Sequence, residues 1–183
     1  MTMNDPIQIL FDEHEIIRMV VDAAKNSSAL AGKEDSRYEQ VVKKLLMFFR
    51  NYADKYHHHK EEIILFPEMG KRNELLQGGV IQEMLDNHAE FREMLGSIET
   101  FISNKNYMRA SQQMEIYCEA LLDHIAVEND EVFHIAESLF QEKELDAMYF
   151  RFADCDKELG ETDKMELAKM ANEIHEELTG SRV

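Results

Sequence analysis

The sequence contains no tryptophan, two prolines, seven glycines and two cysteines among its 183 residues. So few helix breakers, in a chain rich in Leu, Ala, Glu, Lys and Met, favour an all-α fold. Cys118 and Cys155 are isolated from each other and form no CxxC motif. They give no reason to expect a structural disulfide, and they suit a reducing compartment. We therefore expect a cytoplasmic protein whose cysteines are buried by packing.

Basic residues are also scarce, because 20 Lys and Arg face 37 Asp and Glu, for a formal charge of −17. Phosphate backbones and anionic membranes would repel such a chain. No apolar run approaches the ~20 residues of a membrane span, and the N-terminus lacks the basic and apolar regions of a signal peptide. We expect no nucleic-acid or membrane partner, while a protein partner or homo-oligomer stays open.

Apolar residues recur three and four apart along four segments of roughly 25–30 residues each, which predicts four amphipathic helices. Short breaks separate the last three segments, at Gly78-Gly79 and at residues 103–106. Helices joined by short loops pack as antiparallel neighbours. The prediction is an all-α, up-down-up-down antiparallel four-helix bundle over residues 1–140. Residues 141–183 are expected to form a C-terminal helical extension packed on the outside of the bundle.

Helix ends are indicated by residue types with known preferences. Asp5 and Pro6 suit the N-cap and first turn of the first helix. Residues 36–39 have the Ser-x-x-Glu spacing of a capping box, which predicts the start of the second helix. Pro67 predicts the end of that helix.

The most specific signal is a pair of His-x-x-x-Glu spacings, in His57 with Glu61 and in His124 with Glu128. Residues four apart lie on one face of a helix, so each pair directs an imidazole and a carboxylate at the same point. Histidines also occur in the apolar stripes of the other two helices. The candidate metal ligands are His14, His57, Glu61, His88, His124 and Glu128.

These donors indicate transition metals, because neutral imidazoles with carboxylates suit iron, manganese or zinc, whereas calcium and magnesium prefer oxygen ligands alone. Six donors are too many for one tetrahedral ion. They suit two ions, each with two histidines, bridged by both glutamates as in dimetal helical bundles. We expect two ions of iron, manganese or zinc, with open positions for dioxygen, nitric oxide, hydroxide or water.

The neighbouring polar residues are expected to have other roles. His58 and His59 are rotated about 100° and 200° from His57 around an α-helix, which predicts solvent exposure, and Glu62 turns away from Glu61 likewise. His134 lies about 80° from the His124 direction, which suggests a residue of an outer layer or of an entrance.

Residues 57–67 read HHHKEEIILFP and resemble the HHxKEExxLFP signature of the hemerythrin-like, or HHE cation-binding, family. Three further segments resemble the other helical motifs of that family in order, at residues 13–17, 84–92 and 121–137. The resemblance covers about residues 5–140. It implies an antiparallel four-helix bundle around a non-haem di-iron centre. It also implies that His14 and His57 hold one iron and that His88 and His124 hold the other.

Two departures from that pattern bear on function. Arg92 stands where the oxygen-carrying hemerythrins have a further histidine, and Asn129 stands where they have an aspartate. The pattern of Glu128 resembles instead a subgroup linked to repair of iron centres after nitric oxide or oxidative stress. The N-terminal cysteine-bearing domain of that subgroup has no counterpart in these 183 residues.

The resemblance leads to one main expectation and two alternatives. The main expectation is a di-iron protein that binds or reacts with dioxygen, nitric oxide or peroxide in sensing or stress response. The alternatives are iron storage or donation for the repair of iron centres, and a metal-stabilised module that binds another protein. Whether the chain is an enzyme stays open.

Overall fold

The computed structural model describes residues 5–180, which are almost entirely helical and include no strand. This confirms the all-α class. A 3-10 turn at Asn26–Leu30 follows the first helix, and the one-turn helix Glu74–Gln77 joins the second to the third. The long helices are α1 (Pro6–Lys25), α2 (residues 35–72), α3 (Val80–Ser103), α4 (residues 107–139), α5 (Glu142–Leu159) and α6 (Glu161–Thr179).

The start of α1 agrees with the sequence prediction. A carboxylate oxygen of Asp5 accepts from the backbone N–H of Ile7 at 3.0 Å, and Pro6 occupies the first turn. The prediction of a capping box at residues 36–39 is wrong, because α2 begins at Asp35 and its N-cap makes no side-chain hydrogen bond. The Asp35 carboxylate accepts instead from the N–H of Gly32 at 3.0 Å, which ties the preceding loop to the helix.

The predicted end of α2 at Pro67 is also wrong, because the helix continues to Arg72. A wide turn at Glu61–Leu65 precedes the proline. Pro67 therefore lies in the first turn of a new α-helical stretch, where a missing N–H costs little. The helix passes through the proline because the hydrogen-bond register changes just before it.

The apolar core consists of two clusters separated by a polar layer. One cluster includes Ile17 of α1 and Leu121 of α4, and the other includes Leu10 of α1 and Val132 of α4. The candidate ligands lie between these two sets of residues along each of the first four helices. The order of the clusters reverses from each helix to the next, as an antiparallel arrangement requires. The up-down-up-down order itself stays a prediction.

The C-terminal helices add side chains to both clusters. Leu167, Ala171 and Ile174 of α6 belong to the first cluster, and α6 packs mainly against α1 and α2. Phe152 of α5 is fully buried in the second cluster. Both helices therefore pack on the bundle, and the division at residue 140 stays a prediction. Across residues 5–180 no helix is both long and apolar enough to cross a membrane.

Candidate metal centre

Wide π turns in α2 and α4 set the direction of the polar side chains in the core. In these turns a backbone N–H donates to the carbonyl five residues earlier, from His59 to Asp54, from Phe66 to Glu61 and from Phe133 to Glu128. A π turn holds more residues than an α turn, so successive side chains are rotated by less than ~100°. Residues 57, 58 and 61 therefore all face the interior.

Four of the predicted ligands form the first group of donors: His14, His57, Glu61 and Glu128. All four are fully buried, and each offers a ligand atom within 4.8 Å of those of the others. The Nε2 atom of His14 lies 3.2 Å from Oε2 of Glu128, and Nε2 of His57 lies 3.4 Å from Oε1 of Glu61. This group places two imidazoles and two carboxylates around one small volume.

The second group of donors consists of His58, His88 and His124, whose ligand atoms also lie within 4.8 Å of one another. The Nε2 atoms of His88 and His124 are 3.2 Å apart. The ring of His58 stacks on that of His88 with 3.8 Å between centroids, and His58 is only 3% exposed. The prediction that His58 faces solvent is therefore wrong. It assumed α-helical rotation, whereas His58 ends a π-helical stretch.

Both carboxylates also reach the second group. Oε2 of Glu61 lies 3.6 Å from Nε2 of His88, and Oε2 of Glu128 lies 3.2 Å from Nε2 of His124. The same two carboxylates contact the first group, so they lie between the two sets of imidazoles. Bridging carboxylates occupy this position in dimetal helical bundles.

Six inward atoms of the centre lack hydrogen bonds within the described part of the chain. Both oxygens of Glu61 and of Glu128, and Nε2 of His14 and of His57, are buried and find no hydrogen-bond partner among the described residues. Burying carboxylates without compensation costs several kcal/mol, on the order of the desolvation penalty of an ion. Cations between these atoms would offset that cost. The set of imidazole nitrogens and carboxylate oxygens fits iron, manganese or zinc.

The outer nitrogens of two histidines donate to carboxylates. Nδ1–H of His57 donates to Oε2 of Glu13 at 3.0 Å, and Nδ1–H of His88 donates to Oε1 of Glu62 at 2.9 Å. Such carboxylate–histidine pairs orient metal-binding imidazoles and fix their tautomer, so that Nε2 presents its lone pair inward.

Side-chain amides occupy the corresponding positions at the other two predicted histidine ligands. Nδ1–H of His14 donates to the amide oxygen of Asn129 at 2.6 Å. The amide of Asn87 lies 3.4 Å from Nδ1 of His124, where rotation about χ2 presents either its nitrogen or its oxygen. All four predicted histidine ligands thus have an outer polar neighbour.

Arg92 fastens the carboxylates beside the second group. Its Nη2 atom lies 2.6 Å from an oxygen of Glu62 and 2.6 Å from one of Asp54. Asp54 in turn lies 3.6 Å from Nδ1 of His58. The side chain of Arg92 is 43% exposed, so it braces the outer layer and does not enter the centre.

Burial favours the neutral form of three imidazoles in the metal-free centre. Burial lowers the pKa of His57 to about 4, and it lowers the pKa values of His58 and His88 as well. Burial and the nearby Glu128 carboxylate raise the pKa of Glu61 well above its usual value. Although burial opposes ionisation of Glu128, the nearby His124 holds the pKa of that carboxyl well below its usual value. Neutral imidazole is the form that binds a metal.

The outcome for the other candidate residues is mixed. His134 is exposed, and its Nδ1–H donates to Glu137 at 3.0 Å on the surface. His59 is partly exposed. Both cysteines are buried, as expected.

Sequence reasoning missed the polar residues behind His57. Glu13 lies three residues after Leu10 on the inner face of α1, and Lys60 lies three residues after His57, so helical spacing was a usable signal for both. Lys164 bonds to Glu13 across 151 residues, and no local pattern indicates that contact.

Comparison with protein families gives one result that bears on this geometry. The model of the hemerythrin HHE cation-binding domain matches residues 5–136, a span that contains all seven donors of the two groups. No curated protein and no solved structure matches the chain.

Proposed function

The chain belongs to the hemerythrin HHE cation-binding domain family, and on that premise we propose that it holds two non-haem iron ions. The proposed role is to bind or react with dioxygen, nitric oxide or peroxide in sensing or stress response. In this proposal His14 and His57 hold one ion, and His58, His88 and His124 hold the other. Glu61 and Glu128 bridge the two ions.

One observation carries this proposal. The carboxylates of Glu61 and Glu128 lie between two groups of histidines, and all four of their oxygens are buried without a hydrogen bond from residues 5–180. A purely structural polar core would pair these oxygens with donors, since buried polar atoms are almost always hydrogen-bonded. The unpaired oxygens therefore favour two cations between the histidine groups.

The surrounding residues suit a small apolar ligand. The ring of Phe133 stacks on His14 at 5.2 Å, and the ring of Phe91 meets His124 edge-on at 5.1 Å. These rings shield the imidazoles from water, and such an apolar surrounding suits a diatomic molecule better than a hydrated ion. Iron bound there would supply a ferrous/ferric couple and an open coordination position.

The seven donors still leave room for an exogenous ligand. If both ions were six-coordinate, the two bridging carboxylates and the five histidines together would not fill every coordination position. Arg92, at the position where an oxygen carrier has a histidine, is held outside by Asp54 and Glu62. We therefore expect exchange of small ligands at the iron, in preference to reversible oxygen carriage.

Anaerobic loading with ferrous iron tests the proposal. The protein is expected to bind two iron ions per chain, and addition of nitric oxide is expected to change its visible absorption within the mixing time. Fewer than two ions, or no spectral response to either nitric oxide or dioxygen, would refute the proposed function. Rapid and complete loss of iron to a weak chelator would favour iron donation.

A matched pair of variants makes the same experiment specific to the bridge. Glu128→Gln removes one bridging carboxylate and should abolish binding of the second ion. Glu131→Gln changes an exposed glutamate of the same helix and should leave two ions bound. Equal iron content in the two variants would show that iron binds elsewhere.

A further inference from the structure

A buried ionic cluster lies directly behind His57. Oε1 of Glu13 accepts from Nζ of Lys60 at 2.8 Å and from Nζ of Lys164 at 2.5 Å. The same two lysines contact Asp156, at 2.8 Å and 2.5 Å respectively. The cluster thus balances two carboxylates with two ammonium groups.

Four of the six helices contribute one member each to the cluster. Glu13 lies on α1, Lys60 on α2, Asp156 on α5 and Lys164 on α6. The side chain of Lys60 is fully buried, that of Glu13 is 5% exposed, and those of Asp156 and Lys164 are each 18% exposed. Because burial reduces screening by water and salt, these contacts are stronger than surface ion pairs.

The two oxygens of Glu13 have separate tasks. Oε1 accepts from the two lysines, while Oε2 accepts from Nδ1–H of His57. Because the lysines hold one oxygen of the carboxylate, the orientation of the other oxygen toward His57 depends on them.

This arrangement joins the C-terminal helices to one half of the metal centre. Glu62, which accepts from Nδ1–H of His88, is held by Arg92 of α3. Glu13, which accepts from Nδ1–H of His57, is held by Lys164 of α6. Loss of the carboxylate behind a metal-binding histidine typically lowers metal affinity by 10–100-fold, so a residue that holds this carboxylate in place acts on the same affinity.

We propose that Lys164 is a positioning residue for the metal centre, which holds Glu13 so that His57 presents Nε2 to the bridging carboxylates. The inference rests on the proposed function, because it requires His57 to be a metal ligand. It makes the C-terminal helix α6 part of the metal centre, and it predicts that only the ion held by His14 and His57 depends on this helix.

Competitive titration with ferrous iron against a chromogenic chelator, without oxygen, tests the inference. Lys164→Met should lower the affinity for one of the two ferrous ions by about tenfold and leave the affinity for the other unchanged. Lys164→Arg should restore most of the affinity, since it keeps the positive charge. Lys169→Met is the matched control, because Lys169 is 78% exposed on the same helix and should bind iron as the wild type does.

A double-mutant cycle separates positioning from a general structural effect. In a Glu13→Gln background, Lys164→Met should have little further effect on ferrous affinity, because its action passes through the carboxylate. An equal weakening in both backgrounds, or wild-type affinity in Lys164→Met, would overturn the inference while leaving the proposed function intact. A wild type that does not bind two ferrous ions would overturn both.

Thermal unfolding of the metal-free variants completes the test. If Lys164→Met melts at the temperature of the wild type, a loss of iron affinity reflects the centre and not the fold. If Lys164→Met does not fold, Asp156→Asn perturbs the same lysine more mildly. Asp156→Asn should then lower the affinity for the same one of the two ions. Unchanged affinity for both ions in a folded Asp156→Asn, together with an unfolded Lys164→Met, would overturn the positioning role.

Discussion

Each predicted histidine ligand has one nitrogen held by the fold and one directed inward. A carboxylate holds Nδ1 in His57 and His88, and an amide lies beside Nδ1 in His14 and His124. His58 differs, because the nearest carboxylate lies 3.6 Å from its Nδ1 and makes no hydrogen bond. Its position depends instead on stacking against His88.

Substitution of His58 tests whether a histidine held by stacking is also a ligand. His58→Ala should lower the affinity for one iron ion by at least the 10–100-fold that loss of an outer partner causes, because a direct ligand is removed. His59→Ala, at the partly exposed neighbouring position, should retain wild-type affinity. Counting the metal ions that remain after competition with a chelator shows whether His58 is a ligand. Two tightly bound ions in His58→Ala would mean that His58 only packs.

The metal-free protein should lose stability in mild acid through His57. This residue faces His14, Glu13, Glu61 and Glu128, yet burial dominates and lowers its pKa from 6.5 to about 4. At pH 5 the unfolded chain therefore binds a proton at residue 57 that the folded chain does not bind. The free energy of unfolding therefore decreases as the pH falls below 6.5. This residue accounts for about 2 kcal/mol of the decrease at pH 5.

Urea unfolding at pH 7 and pH 5 measures that contribution. Between pH 7 and pH 5 the free energy of unfolding of the metal-free wild type should decrease by about 2 kcal/mol more than that of His57→Asn, because asparagine does not titrate. The same loss in both proteins would show that His57 is accessible to protons in the folded state.

At the scale of helices, the π turns explain why α-helical spacing predicted most of the site but not all of it. His57 with Glu61, and His124 with Glu128, are four apart, a separation that keeps both side chains on one side in either type of turn. His58 is adjacent to His57, and a rotation of ~100° would have carried it out of the centre. No residue type in the sequence predicts the wider turn.

Closing the wide turn should separate the donors. Deletion of Lys55, an exposed residue within the π stretch Phe49–His58, should restore α-helical register and rotate the following donors relative to the preceding core residues. We expect helical circular dichroism to remain and iron binding to be lost. Deletion of Lys33, in the loop before α2, should leave two ions bound. Full iron content after deletion of Lys55 would contradict the role assigned to the wide turn.

At the scale of the whole molecule, local signals predicted the boundaries better than the long-range contacts. The start of α1 at Pro6, the break at Gly78-Gly79 and the turn before Tyr107 all follow from residue preferences. The stripe of α6 is equally visible in the sequence, but its partners are not, because spacing shows which face is apolar and not what that face meets. The contact between Lys164 and Glu13, behind His57, could therefore not be predicted from the sequence.

The central claim is that two iron ions lie between the two groups of histidines and share Glu61 and Glu128. The most direct measurement is crystallographic anomalous scattering at the iron edge, on protein loaded without oxygen. The account predicts two peaks roughly 3.5–4 Å apart, each within bonding distance of both carboxylates. A single fully occupied peak, or a structure in which either Glu61 or Glu128 points into solvent, would contradict it.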